Sequence, residues 1–418
     1  MHRTKRKCKC TTSPISPIVL MESTATRHGS QHDITSIHYN DDIERRKIKL
    51  RLNQRTLPKQ ILHCRDNVQN AIGLLVDAYP HLSSLLEQNI DRNSVVGDDT
   101  KHWSYESILD ILQAQKHQHN ITKKNGAQNV KEDYDICIID GKSIVATMEV
   151  LRKTNNVIVA LHLLRLSVEA VQHNQVYRKD VYDKIMGKHD DVNKQLKEDD
   201  RDKNELRRIY KAVISLLGHC CNKGQVGESS THYSPRIIMY LLREHMPKIS
   251  KLQPTSEIMH ASINSLGRAR SCDLILEILK DMEHSYEMHN LLQELDESVP
   301  THVVPPVDRM AYQTAISSLA RHGHCVEATQ LLYRMQDKGW APDGAIYNEL
   351  LIGIAKEAGR GTSSSAVSIS DSEDGMMHQV ALRILNEMEA NNKQPTEQTY
   401  NSVISACGRK ERGIRYQC

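Results

Sequence analysis

Arg309 to Asp343 reads RMAYQTAISSLARHGHCVEATQLLYRMQDKGWAPD, and its apolar residues follow a helical period twice. Tyr312, Ile316 and Leu319 recur at i, i+4 and i+7. After the break at His322-Gly323-His324, a second stripe of Ala328, Leu331, Leu332 and Met335 keeps the same spacing. Gly339 closes that stripe, and Pro342 blocks its continuation because proline has no N–H and its ring clashes with the preceding turn. The stretch predicts a helical hairpin. Neither narrow stripe can be buried within one hairpin, so neighbouring copies must stack on it and share a continuous core.

Copies are found on both sides. Residues 344–396 place Tyr347, Leu351 and Ile354 in a first helix and Ala381, Ile384, Leu385 and Met388 in a second, ending again in proline, Pro395. A Ser-rich acidic tract, Arg360 to Gln379, separates the two and is expected to be a mobile loop, since it has too little apolar surface to order itself. Residues 256–308 carry Met259, Ile263 and Leu266, then Ile275, Ile278, Leu279 and Met282, with extra residues from Glu283 to Val304 after the hairpin. Residues 207–255 supply Tyr210, Ile214 and Leu217 and a second helix around RIIMYLLREHM. Residues 141–206 form a divergent copy, with Met148 and Leu151 followed by Ala160, Leu163 and Leu164, and then a charged linker or solvated helix. In 51–140, Leu57 to Gln88 has a helical pattern suited to a cap, and His102 to Gln115 reads as one more first helix. Residues 397–418 give Tyr400, Ile404 and Cys407 in a first helix without a second. The fold class is all-α, an α-solenoid of hairpin repeats.

Composition agrees with shallow helix pairs. Aromatics are 4% of the chain and Phe is absent, leaving Leu, Ile, Val, Met and Ala to fill the interior. A formal charge of +3 excludes a bulk polycation, so any basic surface must be local. The 10 cysteines lack metal-ligand spacing, and neither a metal nor another cofactor is expected. No apolar run is long enough to span a bilayer. Residues 1–50 begin with Arg3, Lys5, Arg6, Lys7 and Lys9 amid hydroxyl residues, which reads as an organellar transit peptide, mitochondrial or plastid, or as a disordered basic tail of a cytoplasmic protein.

Catalytic chemistry is not expected. The His-x-Glu and Pro-Cys-x-x-Cys pattern of a zinc deaminase is missing. The acids around Glu132 to Ser143 flank a short apolar run without the further carboxylates that a two-metal nuclease needs.

The stretches AIYNELLIGIAKEAGR, ALRILNEMEANNKQPT and QTYNSVISACGRK, with Arg309 to Asp343 throughout its length, resemble the pentatricopeptide repeat. That resemblance implies single-stranded RNA as the partner, one base per hairpin, read by the residue after the helix-starting tyrosine together with the last residue of the repeat. The corresponding pairs are Gln313 with Asp343, Asn348 with Thr396, His260 with Asp308 and Lys211 with Thr255, followed by Asn401 without a partner. Asn348 with Thr396 implies a pyrimidine; the other pairs depart from the family's usual choices. Met310, Ala345 and Gln398 correspond to wedges beside the bases.

A second regularity stands apart from that pairing. Lys153, His219, Arg268, Arg321, Lys356 and Arg409 all fall two residues after the last apolar position of a first helix, where a row of cations would meet phosphates. Helix C-termini favour cations for dipole reasons as well. Asp343 and Thr396 equally suit helix capping. Two functions follow from these features. One is RNA binding in organellar RNA processing, stability or translation, together with other RNA-processing proteins and without catalysis. The other is a protein-interaction scaffold using the same groove.

Overall fold

A computed structural model of the chain describes residues 56–64, 67–78, 105–113, 141–185, 190–220, 233–294, 304–358 and 376–407. Among them there is no strand. Helix α1 spans 56–63, α2 is Val68–Ala78, α3 Tyr105–Gln113, α4 Gly141–Thr154, α5 Val157–Ile185 and α6 Asp190–Cys220. Helix α7, Tyr233–Tyr240, continues as a π-helical stretch, Leu241–Ile249. Then follow α8 Ser256–Arg268, α9 Cys272–Glu294, α10 Arg309–His322, α11 Cys325–Asp337, α12 Gly344–Glu357, α13 Met376–Ala390 and α14 Glu397–Cys407. None of the described helices is long and apolar enough to cross a membrane.

First helices pack on first helices. α4, α6, α8, α10, α12 and α14 form one layer in chain order, each lying against the next. The second helices α5, α7, α9, α11 and α13 each bridge the first helix of their own hairpin and that of the following one. The stripes read from sequence supply the shared core: Tyr312, Ile316, Leu319, Ala328, Leu331, Leu332 and Met335 are all buried. Burying each large apolar side chain is worth about 1.5–3 kcal/mol, and the partner helix of the same hairpin and the neighbouring hairpins share in covering the stripes.

The layer is close because its contact residues are small. A Cβ on Gly267 would lie 2.6 Å from Cβ of Ser318, and one on Gly353 would lie 2.5 Å from the backbone oxygen of Ala320. These residues sit near the C-terminal ends of successive first helices, where the backbones nearly touch.

The buried tyrosines of three first helices, Tyr210, Tyr312 and Tyr347, have fixed hydroxyls. Tyr312 donates to Glu283, which also receives Arg334. The Tyr347 hydroxyl lies 2.9 Å from Asn391 Nδ2 and 3.2 Å from Glu387 Oε1, and burial and then the Glu387 charge push its pKa up to about 12. Tyr210 meets His245 Nδ1 at 2.5 Å and also contacts Ser250. His245 lies in the π-helical stretch just before Pro247, whose missing N–H breaks the regular α ladder and favours the wider winding.

Several sequence expectations change here. Tyr105–Gln113 was expected to be a first helix, but α3 lies against α5 and α7 in the second-helix layer, with Ile108 and Leu112 buried. The charged tract before Arg207 is part of the single helix α6, since no glycine or proline interrupts it. The residues from Glu283 to Glu294 prolong α9 instead of following the hairpin, and Ser285 anchors them by donating to the Val304 carbonyl. Helix α13 starts at Met376, so Met376 to Gln379 are helical; the rest of the tract expected to be a loop lies outside the described residues, as do residues 1–50.

Candidate functional site

The first helices α8, α10, α12 and α14 each begin where the preceding hairpin ends, so the last residue of one hairpin is the N-cap of the next. Asp308 Oδ1 accepts from Ala311 N at 2.7 Å, Asp343 Oδ1 accepts from Ile346 N at 2.9 Å, and Thr396 Oγ1 accepts from Thr399 N at 3.2 Å. The caps satisfy backbone donors that have no intrahelical partner. Thr255 occupies the same position before α8 without a side-chain cap bond.

These caps also meet the residue that follows the helix-starting core position. Gln313 Nε2 donates to Asp343 Oδ2 at 3.1 Å, and His260 Nε2 lies 2.8 Å from Asp308 Oδ1. Asn348 reaches Thr396 through the Thr399 hydroxyl, which donates to Asn348 Oδ1 and lies 2.9 Å from Thr396 Oγ1. The structure therefore brings together three of the four pairs aligned from sequence. Lys211 does not meet Thr255: its ammonium pairs with Glu257 Oε2 at 2.7 Å and holds that carboxyl below the ordinary range by hydrogen bond and charge. A long cation next to an exposed carboxylate finds that partner in preference to a hydroxyl.

Asn401 is exposed and lines an open trough of about 740 Å³ between α12 and α14, together with Asn348, Thr396, Lys356, Ile352 and Ser405. Met310, Ala345 and Gln398, second in their helices, are exposed. Tyr400, expected in the core, is 44% exposed and Ile404 is 66% exposed, because no described second helix follows α14 to cover them.

The cations behave less uniformly than their alignment. Lys153, His219, Arg268, Arg321 and Lys356 all lie in the last turn of their helices, where the backbone dipole favours positive charge. Lys153, Arg321 and Lys356 are exposed; His219 and Arg268 are half-buried. Arg321 is engaged by Glu349 Oε1 at 2.6 Å on the next first helix. Sequence reading missed Glu349, whose partner lies on a different helix. Arg409 lies outside the described residues. Among the described residues no group of three or more His, Cys, Asp or Glu side chains is placed to hold a metal ion.

Such a stack of capped hairpins, with amide, hydroxyl and cationic side chains in register along its first helices, defines a helical-repeat solenoid. A family model described as PPR repeat matches residues 310–340, and one described as Pentatricopeptide repeat domain matches 377–410. The chain thus carries pentatricopeptide repeats at these residues. No curated protein matches it in sequence. Among solved structures, the pentatricopeptide repeat protein PPR10 from maize aligns with 87% of this chain and 43% of its own, at 15% identity and a TM-score of 0.33. PPR10 in complex with an 18-nt psaJ RNA element aligns with 87% of this chain and 53% of its own, at 14% identity and a TM-score of 0.24. The chain thus spans about half the length of the PPR10 chains with which it aligns.

Proposed function

We propose that the first-helix layer binds single-stranded RNA without chemistry of its own, and that the protein acts by occupying a transcript segment in organellar RNA processing, stability or translation. The observation that carries this reading is the repeated meeting of a hairpin's last residue with a polar side chain on its own first helix, at Gln313–Asp343, His260–Asp308 and Asn348–Thr399–Thr396. Repetition at hairpin spacing suits a polymer of repeating units, and hydrogen-bonding groups of this kind read the edges of unstacked bases. The pentatricopeptide repeats at 310–340 and 377–410 support it as well.

The proposed site comprises Gln313, Asp343, Asn348, Thr396, Asn401, His260 and Asp308 for bases, and Arg268, Arg321, Lys356 and Arg409 for phosphates. Base selectivity is strongest where the readers face the trough, at Asn348 and Thr396. It is weaker at Gln313 and His260, where the cap carboxylate engages the reader's Nε2, whereas Asn348 is held through Oδ1 and keeps its Nδ2 hydrogens. The proposed compartment is a mitochondrion or plastid, in keeping with the basic hydroxyl-rich start of the chain.

Fluorescence anisotropy of the full chain with labelled random-sequence RNA tests the proposal. Single strands should bind, and a duplex of the same length should compete at least about tenfold less well, because its base edges are stacked and paired. Equal competition by duplex, or no binding at low salt, would leave the protein-scaffold reading in its place.

A further inference from the structure

We infer that Thr399, which belongs to no reading pair, is a positioning residue that holds Asn348 ready for a base; this rests on the RNA-binding reading above. The caps of the two earlier hairpins each serve two groups. Asp343 has two carboxylate oxygens: Oδ1 receives Ile346 N at 2.9 Å and Oδ2 receives Gln313 Nε2 at 3.1 Å. Asp308 serves His260 and Ala311 N together through Oδ1, at 2.8 and 2.7 Å. A single acid both starts the next helix and fixes the reader.

Thr396 stands in the same place with a shorter side chain and one oxygen. It receives Thr399 N at 3.2 Å and forms no bond to Asn348. The Thr399 hydroxyl fixes the reader here by donating to it, where the carboxylate oxygen elsewhere fixes it by accepting. It accepts from Thr396 N at 2.8 Å, lies 2.9 Å from Thr396 Oγ1, and donates to Asn348 Oδ1. At the same helix position Ala311 and Ile346 offer their caps only a backbone N–H.

Counting protons fixes the result. A hydroxyl has one proton and two lone pairs. With the Thr399 proton on Asn348 and one lone pair on Thr396 N–H, its second lone pair takes the Thr396 hydroxyl proton. Thr396 Oγ1 keeps one lone pair, and Asn348 keeps its Nδ2 hydrogens. Asn348 and Thr396 both line the trough, so it offers a donor beside an acceptor, the pairing that a base edge complements. Thr399 is 1% exposed, so water cannot substitute for its hydroxyl.

The test measures anisotropy of the full chain with random-sequence single-stranded RNA. Thr399→Val should weaken binding about fivefold, the size of one lost neutral hydrogen bond, while Thr399→Ser should stay within about twofold. Thr396→Asp supplies a carboxylate oxygen that accepts from Asn348 Nδ2, as Asp343 accepts from Gln313 Nε2, so adding Thr399→Val in that background should cost less than about twofold. If Val prevents folding, as judged by circular dichroism, Thr399→Ala is compared in the same two backgrounds. Equal losses in both backgrounds, or no loss in either, overturn the inference while RNA binding stands. A wild-type chain that binds no RNA defeats the functional reading and this inference with it.

Discussion

Gln313 and Asp343 close on each other across one hairpin, with Nε2 donating to Oδ2 at 3.1 Å while Oδ1 of the same acid caps α12 through Ile346 N at 2.9 Å. One side chain thus ties together the reading residue, the end of its hairpin and the start of the next. Asp343→Ala should cost about 1 kcal/mol of stability through the lost cap. Asp343→Asn, which keeps a cap acceptor, should cost about half as much or less. Urea unfolding of the two variants checks this, and equal stability of Asp343→Ala and wild type would contradict it.

Packing between first helices gives a second prediction. Gly353→Ala places a methyl 2.5 Å from the Ala320 carbonyl oxygen, and backbone cannot rotate away, so a loss of roughly 1–3 kcal/mol is expected. Gly73→Ala in α2 meets nothing within 4 Å and should raise stability by roughly 0.5–1 kcal/mol through helix propensity. Thermal melts of the two variants should move in opposite directions.

The same comparison explains what the sequence revealed and what it concealed. The hairpins were legible because Tyr312, Ile316 and Leu319 and their counterparts repeat a spacing that only a buried helix face requires. The pairs were legible in register as well, since capping fixes where Asp308 and Asp343 must stand. Long-range partners were not. That Arg321 would lie against Glu349, or Lys211 against Glu257, depends on how far one first helix is shifted along the next, which no local pattern encodes. Nor did periodicity assign α3 to the second-helix layer, because an amphipathic helix fits either layer.

Two buried histidines make stability depend on pH. Burial, with the Arg165 charge adding to it, lowers His162 to about 4, and burial lowers His245 to about 4. Both are neutral in the folded chain while the unfolded chain takes up protons at the ordinary value of 6.5. Between those values the unfolded state binds more protons, so stability falls as pH falls. Each histidine contributes a slope approaching roughly 1.4 kcal/mol per pH unit. His245→Gln should make the stability profile shallower across that window, and an unchanged slope would show that His245 titrates normally.

Glu349 restrains Arg321 by an ion pair at 2.6 Å. Glu349→Gln removes the competing carboxylate and leaves the guanidinium for a phosphate. RNA affinity should rise, by about twofold to fivefold for an exposed pair worth under roughly 1 kcal/mol. Weaker binding of this variant would place Arg321 away from the RNA path.

The most direct measurement is the salt dependence of RNA binding by wild type and by a variant with Arg268, Arg321 and Lys356 changed to Ala. Cations in contact with phosphates of a single strand each contribute about 0.7 to the slope of log affinity against log salt. Wild type should therefore show a steep slope, reduced by about 2 in the triple variant. A flat wild-type response, or identical slopes, would contradict a phosphate track along the first-helix ends.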